Sequence, residues 1–159
     1  PSEADIAAEF DNRREELRRP PRLSIEHIYF NREREAEVDG VIAQIDAQGL
    51  SATEARKLSS PFLPGYKFTR QTPDQLARHF GASFVKNLMD SDPRADHWSG
   101  PVRSTYGLHY VWVSELEPER DATLEEVRLQ LLRDLESRNK ASALRESIDA
   151  MREDYEIVR

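Results

Sequence analysis

Hydrophobic and polar residues along the chain follow two rhythms, one of period two and one near 3.6. The clearest period-two run is Leu108-His109-Tyr110-Val111-Trp112-Val113. It is rich in β-branched and aromatic residues, which predicts a well-packed strand. Alternation puts His109, Val111 and Val113 on one face and Leu108, Tyr110 and Trp112 on the other. Before it, Pro101-Val102-Arg103-Ser104 can be extended, with Pro101 as the first residue of a strand, and Gly107 gives a turn its backbone freedom. The second such run is Leu23-Ser24-Ile25-Glu26-His27-Ile28-Tyr29-Phe30, where His27 shares a face with Leu23, Ile25 and Tyr29. Two strands with a central histidine each, far apart in sequence, suggest a shared site.

The helical rhythm fills most of the remainder. Ser2 and Asp5 form a weak capping box ahead of Ile6, Ala7, Phe10 and Leu17, predicting a helix over 2–18 with a narrow apolar stripe. Pro20 and Pro21 then enforce an extended connector. Val38, Val41, Ile42 and Ile45 mark one face of a helix within 31–48, and Gly49 is placed to end it. Ser51 and Glu54 cap a short helix toward Leu58. Residues 59–70 read as a loop with a brief strand near 66–68. Thr72, Pro73 and Gln75 open a helix whose Leu76, Phe80, Phe84 and Leu88 form one apolar ridge. Residues 115–122 read as a charged linker. Thr123 and Glu126 cap a long helix carrying Leu124, Val127, Leu131, Leu135, Ala141, Leu144, Ile148 and Met151, straight or bent at the irregular spacing near Asn139. The tail 155–158 reads as a short strand.

Composition narrows the function. The 159 residues predict one domain with a small appendage, and the net charge of -7 leaves no basic surplus for a nucleic-acid backbone. The chain has no cysteine, which excludes disulfides, thiolate zinc sites and a cysteine nucleophile. His27, His79, His97 and His109 include no His-x-x-x-His pair, so no metal site is expected. A Gly-x-Ser-x-Gly elbow is absent, and no apolar run is long enough to cross a bilayer. A pure coiled coil is at odds with the hairpin and the broken heptad spacing. The chain starts at Pro1 without an initiator Met, so an upstream segment is expected.

Residues 98–109, Trp-Ser-Gly-Pro-Val-Arg-Ser-Thr-Tyr-Gly-Leu-His, resemble the closing signature of the parvulin-type (PpiC-type) peptidyl-prolyl cis/trans isomerases. Residues 25–30 resemble that family's opening strand with its histidine, and the order of elements between them agrees. The resemblance covers residues 22–116. It implies an α+β fold, a small antiparallel sheet surrounded by helices, with flanking helices at both ends. The division expected is 1–21 for the first flanking helix and connector, 22–116 for the parvulin-like domain and 117–159 for the last helix and terminal strand. In that family the flanking helices pack into a module that can hold unfolded chains. The sequence also resembles the C-terminal part of membrane-anchored, envelope-facing members of Gram-negative bacteria, in which an opening Pro-Ser-Glu-Ala run leads the linker helix. This implies a periplasmic location, a full-length protein anchored in the inner membrane, and no membrane contact within this fragment.

The resemblance also assigns residues. Phe84 matches the helix phenylalanine that lines the proline pocket, with Phe80 where a methionine is usual; a shift of one turn would move these roles to Phe80 and Leu76. Phe80, Phe84 and Leu88 would form the floor, with Trp98 or Tyr106 as a wall. His27 and His109, linked through Ser104, would form a hydrogen-bonded scaffold under the pocket rather than an acid and a base. No cofactor is needed, because rotation about an Xaa-Pro bond cleaves nothing and a catalyst only has to bind the twisted amide best. The partners implied are unfolded or extended polypeptides containing Xaa-Pro. The stripes on helices 2–18 and 123–152 could pair with each other, with the upstream segment or with a second copy in a homodimer. One stretch departs from the family: residues 59–68 lack the usual Asp or Cys, for which Ser59 or Ser60 would be the substitute. A catalytically decayed module that binds extended clients is therefore the competing reading.

Overall fold

Alternation in the two histidine-bearing runs works because they lie side by side. In the computed structural model, which describes residues 1–157 and side chains as far as Tyr155, β1 (Arg22–Phe30) pairs antiparallel with β4 (Leu108–Glu117). Tyr29 stands opposite His109 and His27 opposite Val111, so the two imidazoles are diagonal neighbours on one face. β2 (Lys67–Gln71) flanks β1, and β3 (His97–Arg103) flanks β4, giving the order β2-β1-β4-β3.

Each face of this sheet has its own core. Leu23, Ile25, Tyr29, Val111 and Val113 pack with α4 (Pro73–Phe80) and α5 (Ala82–Asp90) through Leu76, Phe80, Phe84 and Leu88. Ile28, Phe30 and Tyr110 pack on the other side with Val38 and Ile45 of α2 (Val38–Gln48) and Ala55 of α3 (Ala52–Ala55). These elements belong to one compact unit, Pro20–Glu119. A second unit consists of Pro1–Arg19 and the segment from Arg120 onward. There α1 (Glu3–Asn12) and α6 (Leu124–Ile157) bury Ile6, Leu17, Val127 and Leu131 together. Glu9 accepts a 2.7 Å bond from Arg138, and Arg13 donates to Asp134 at 3.0 Å. Backbone bonds between Arg19 and Arg120 close this unit at its base.

Local signals account for most boundaries. The capping boxes at Ser2, Ser51 and Thr72 are all formed, and Gly49 ends α2 at φ 60. Several expectations need correction. The first helix stops at Asn12, after which residues 13–17 form turns that still deliver Leu17 to the core. The first part of 31–48 is a 3-10 turn, Arg32–Glu37, capped by Asn31. The apolar ridge on 76–88 is split at Gly81, whose φ of 98 ends α4 and restarts the chain as α5, yet all four ridge residues stay buried. Pro101 lies inside β3 rather than at its start, on the sheet edge, where a register irregularity between Ser99 and Val102 removes the need for its N–H. β4 runs to Glu117, through the start of the expected linker. The long helix expected after Thr123 is present as α6 and continues across Asn139. The β-favouring tail is helical through Ile157, carried by the preceding turns, and Val158 lies outside the described residues.

Candidate active site

His27 and His109 are 1% and 0% exposed. Burial pushes His27 down to about 4, with Gly65 opposing and the Arg56 charge adding to the effect. Burial pushes His109 down to about 3, with the His27 charge as a second cause. Both rings are therefore neutral at pH 7, and a neutral imidazole has one donor and one acceptor nitrogen.

The contacts then decide each tautomer. His27 Nε2 lies 2.8 Å from the Gly65 carbonyl oxygen, which can only accept, so Nε2 carries the proton and Nδ1 is bare. His109 Nδ1 lies 3.0 Å from that bare nitrogen and must donate to it. His109 Nε2 is left as an acceptor, and Ser104 Oγ donates to it at 2.5 Å. Ser104 Oγ accepts in turn from the Tyr106 N–H at 3.0 Å. The result is one unidirectional chain, Tyr106 to Ser104 to His109 to His27 to Gly65, with every ring nitrogen used. Such a network rigidifies a site when fully satisfied, and this one is.

Aromatic rings cover the network. Phe80 and Phe84 stack at 4.4 Å, and their centroids lie 5.2 and 5.3 Å from that of His109. Phe80 is also 5.2 Å from His27, edge on. Beside Ser104 an open cavity of about 350 Å³ is lined by Gly81, Ala82, Ser83, Asn87, Arg103 and Thr105, with Phe80 and Phe84 contributing. The Arg103 guanidinium pairs with Glu35 at 2.8 Å, which holds the Glu35 carboxyl below its ordinary range.

The structure thus brings together His27, His109, Ser104, Phe80 and Phe84. Tyr106 is adjacent: 45% exposed, it meets Phe62 edge to face at 5.2 Å, and its carbonyl accepts from Tyr29 Oη. Leu88 is buried in the same core but is not part of the cavity lining. Trp98 is not at the site. It stacks on Tyr110 at 4.7 Å and meets Trp112, on the face of the sheet away from His109, because it stands opposite Trp112 in the ladder. Leu76 is buried in the same core as Phe80 and Phe84 and is not part of the cavity lining.

Ser59 and Ser60 do not substitute for the missing Asp or Cys. Their hydroxyls accept from the backbone N–H groups of Tyr29 and Asn31. The ring from this stretch nearest the imidazoles is Phe62, absent from the sequence reading; Tyr66 and Phe68 lie farther from His27, at 5.9 and 6.0 Å. Phe62 is 6% exposed and lies 4.8 Å from His27 and 5.5 Å from His109, edge on, while stacking with Phe80 at 5.7 Å. Tyr29, Gly65 and Tyr66 were missed too. Tyr29 packs on both Phe62 and His109, and Tyr66 Oη accepts from the Phe62 N–H. The only cue was a phenylalanine set among prolines in an otherwise patternless loop.

One solved structure shows the same fold. A structure from Campylobacter jejuni, described with the virulence factor PEB4 and the periplasmic protein Cj1289 as two structurally related SurA-like chaperones, aligns at a TM-score of 0.68 and 15% identity. The alignment covers 95% of this chain and 61% of that one, so this chain spans less than two thirds of that structure's length. The peptidylprolyl isomerase PrsA of Bacillus anthracis aligns at 0.49 and 20% identity, over 86% of this chain and 56% of that one. No curated protein matches the chain in sequence. The family described as the PPIC-type PPIASE domain matches residues 1–129. With its antiparallel sheet, paired histidines and flanking helices in place, this chain belongs to the PPIC-type PPIASE domain family.

Proposed function

We propose that this chain catalyses cis/trans isomerisation of Xaa-Pro bonds in unfolded or folding polypeptides, on the periplasmic side of the cell envelope. The observation that carries the reading is the satisfied, neutral Ser104–His109–His27 chain beneath Phe80 and Phe84. Amide rotation faces a barrier of about 18–20 kcal/mol because the planar form is resonance-stabilised and dipolar. An apolar, water-poor surface disfavours that dipolar form and so favours the twisted amide. No ring nitrogen of either imidazole is left over for proton transfer, so His27 and His109 act as positioning residues. They hold Ser104, the Tyr106 backbone and the Gly65 loop around the site. His27, His109 and Ser104 would serve as this scaffold, Phe80 and Phe84 as the floor under the proline ring, and Tyr106 as the rim.

The competing reading, a module that only holds extended clients, is favoured by one observation: Phe62 lies over both imidazoles and Phe80. Exchange spectroscopy on a short Xaa-Pro peptide separates the two. Isomerase function gives exchange faster than the uncatalysed rate, reduced in Ser104→Ala while the fold persists by circular dichroism. Suppression of a client's aggregation with exchange at the uncatalysed rate would replace this reading with the holding one. Periplasmic location is checked by fusing the full-length protein to a reporter active only outside the cytoplasm; activity retained in the cytoplasm alone would contradict it.

A further inference from the structure

Residues 60–65 read Ser-Pro-Phe-Leu-Pro-Gly, and the two bulky apolar side chains in this loop have opposite fates. Phe62 is buried against His27, His109, Phe80, Tyr29 and Tyr106, with ring centroids 4.8 to 5.7 Å away. Leu63, the next residue, is fully exposed.

The loop is anchored at its start, where the Ser60 N–H donates to the Tyr29 carbonyl at 2.7 Å and the Ser60 hydroxyl accepts from the Asn31 N–H and from Arg34; past Ser60 the tie-downs are fewer. The Phe62 N–H donates to Tyr66 Oη at 3.0 Å, Tyr66 Oη donates to the Ser60 carbonyl at 3.3 Å, and the Gly65 N–H donates to the Phe62 carbonyl at 3.1 Å. One bond joins the loop to the network below, from His27 Nε2–H to the Gly65 carbonyl. Gly65 has φ 108, a conformation open to glycine and strained for other residues, and a Cβ there would meet no atom within 4 Å. No neighbouring side chain therefore wedges this joint on its Cβ side.

We propose that Phe62 is an internal occupant of the client site, so that the 60–65 loop is a latch that an incoming Xaa-Pro segment must displace. The inference rests on the isomerase-family reading of the Phe80–His109–His27 surface, and adds that this surface is closed at rest. The ring of Phe62 occupies the place over the imidazoles and against Phe80 where a pyrrolidine ring would have to sit. The open cavity beside Ser104 is the approach, and exposed Leu63 is the part of the latch a client touches first. Affinity is then lowered by the fraction of time the latch is open.

The test uses the whole chain with 4-fluorophenylalanine placed at position 62, titrated with a short Xaa-Pro peptide, and compares peptide affinity in wild type and Phe62→Ala. The latch predicts that the fluorine resonance moves toward its solvent-exposed position as the peptide saturates, and that Phe62→Ala binds about tenfold tighter. A resonance that stays at its buried position under saturating peptide would overturn the latch, as would equal affinities or no binding to either form. The labelled protein answers even if Phe62→Ala fails to fold. A displaced label with exchange at the uncatalysed rate would leave the latch standing and remove the isomerase reading. Catalysed exchange with an unmoved label would do the reverse.

Discussion

Acidification from pH 7 to pH 5 should destabilise the Pro20–Glu119 unit by an amount that can be worked from the buried histidine pair. An imidazole in the unfolded chain has its ordinary pKa near 6.5, whereas burial pushes His27 to about 4 and His109 to about 3. Over this pH range the folded unit keeps both rings neutral and the unfolded chain protonates both. The unfolded state binds more protons, so stability rises with pH and is lost as pH falls below 6.5. Integrating the difference gives about 2 kcal/mol for each imidazole between pH 7 and 5, or about 4 kcal/mol for the pair. That is a large part of the about 5–15 kcal/mol by which small domains are stable. Urea unfolding followed by tryptophan fluorescence reads this unit selectively, because Trp98 and Trp112 both lie in it. The midpoint should fall by roughly 2 M urea, taking a slope near 2 kcal/mol per molar. In His27→Leu/His109→Leu, which keeps exposed His79 and His97, the drop should largely vanish. An unchanged midpoint in wild type, or an equal drop in the double variant, would refute the reasoning.

Other predictions follow from single contacts. Ser104→Ala leaves His109 Nε2 without its donor and the Tyr106 N–H without its acceptor. It should cost about 1–3 kcal/mol in urea unfolding and slow Xaa-Pro exchange, while Ser104→Thr, which keeps the hydroxyl, should recover most of both. Gly107→Ala would put a Cβ 2.4 Å from the Phe30 carbonyl oxygen, a backbone atom of the central strand. A loss of at least about 1–3 kcal/mol is expected, read by thermal unfolding, and a neutral effect would contradict the close approach. Tyr66→Phe removes the acceptor of the Phe62 N–H. Amide hydrogen exchange at Phe62 should rise about tenfold, with the midpoint of global unfolding little changed.

What the sequence could reveal of this site depended on how regular each part of it is. Alternation assigned His27 and His109 each to a face of its own strand and suggested a shared site; that the two strands are neighbours, with Tyr29 opposite His109, came from the pairing of β1 with β4. The Phe80 and Phe84 positions survived the break at Gly81, since the ridge keeps its burial through the change of helix. Trp98 was misplaced because the family signature reads as one string, whereas β3 shifts register between Ser99 and Val102. Val102 faces His109's core and Trp98 the opposite side. Gly107 was singled out for turn flexibility, yet what the fold demands there is space beside Phe30. Phe62 was invisible for a different reason. Its loop has no period, and its burial comes from tertiary contact with rings distant in sequence. The terminal strand failed because local β propensity in 155–157 counts for less than continuation of a formed helix.

The paired histidines also show how a buried polar group can be retained without carrying charge. A single imidazole at the centre of a sheet would leave one nitrogen unsatisfied. Two on diagonal positions, closed by a hydroxyl at one end and a carbonyl at the other, leave none. With both rings neutral, the geometry accepts only one pair of tautomers.

The tautomers can be seen directly by long-range proton–nitrogen correlation of the imidazoles at pH 7. The account requires two neutral rings of opposite type, His27 protonated at Nε2 and His109 at Nδ1. A spectrum with both rings protonated at Nε2, or with either ring as the imidazolium, would contradict it.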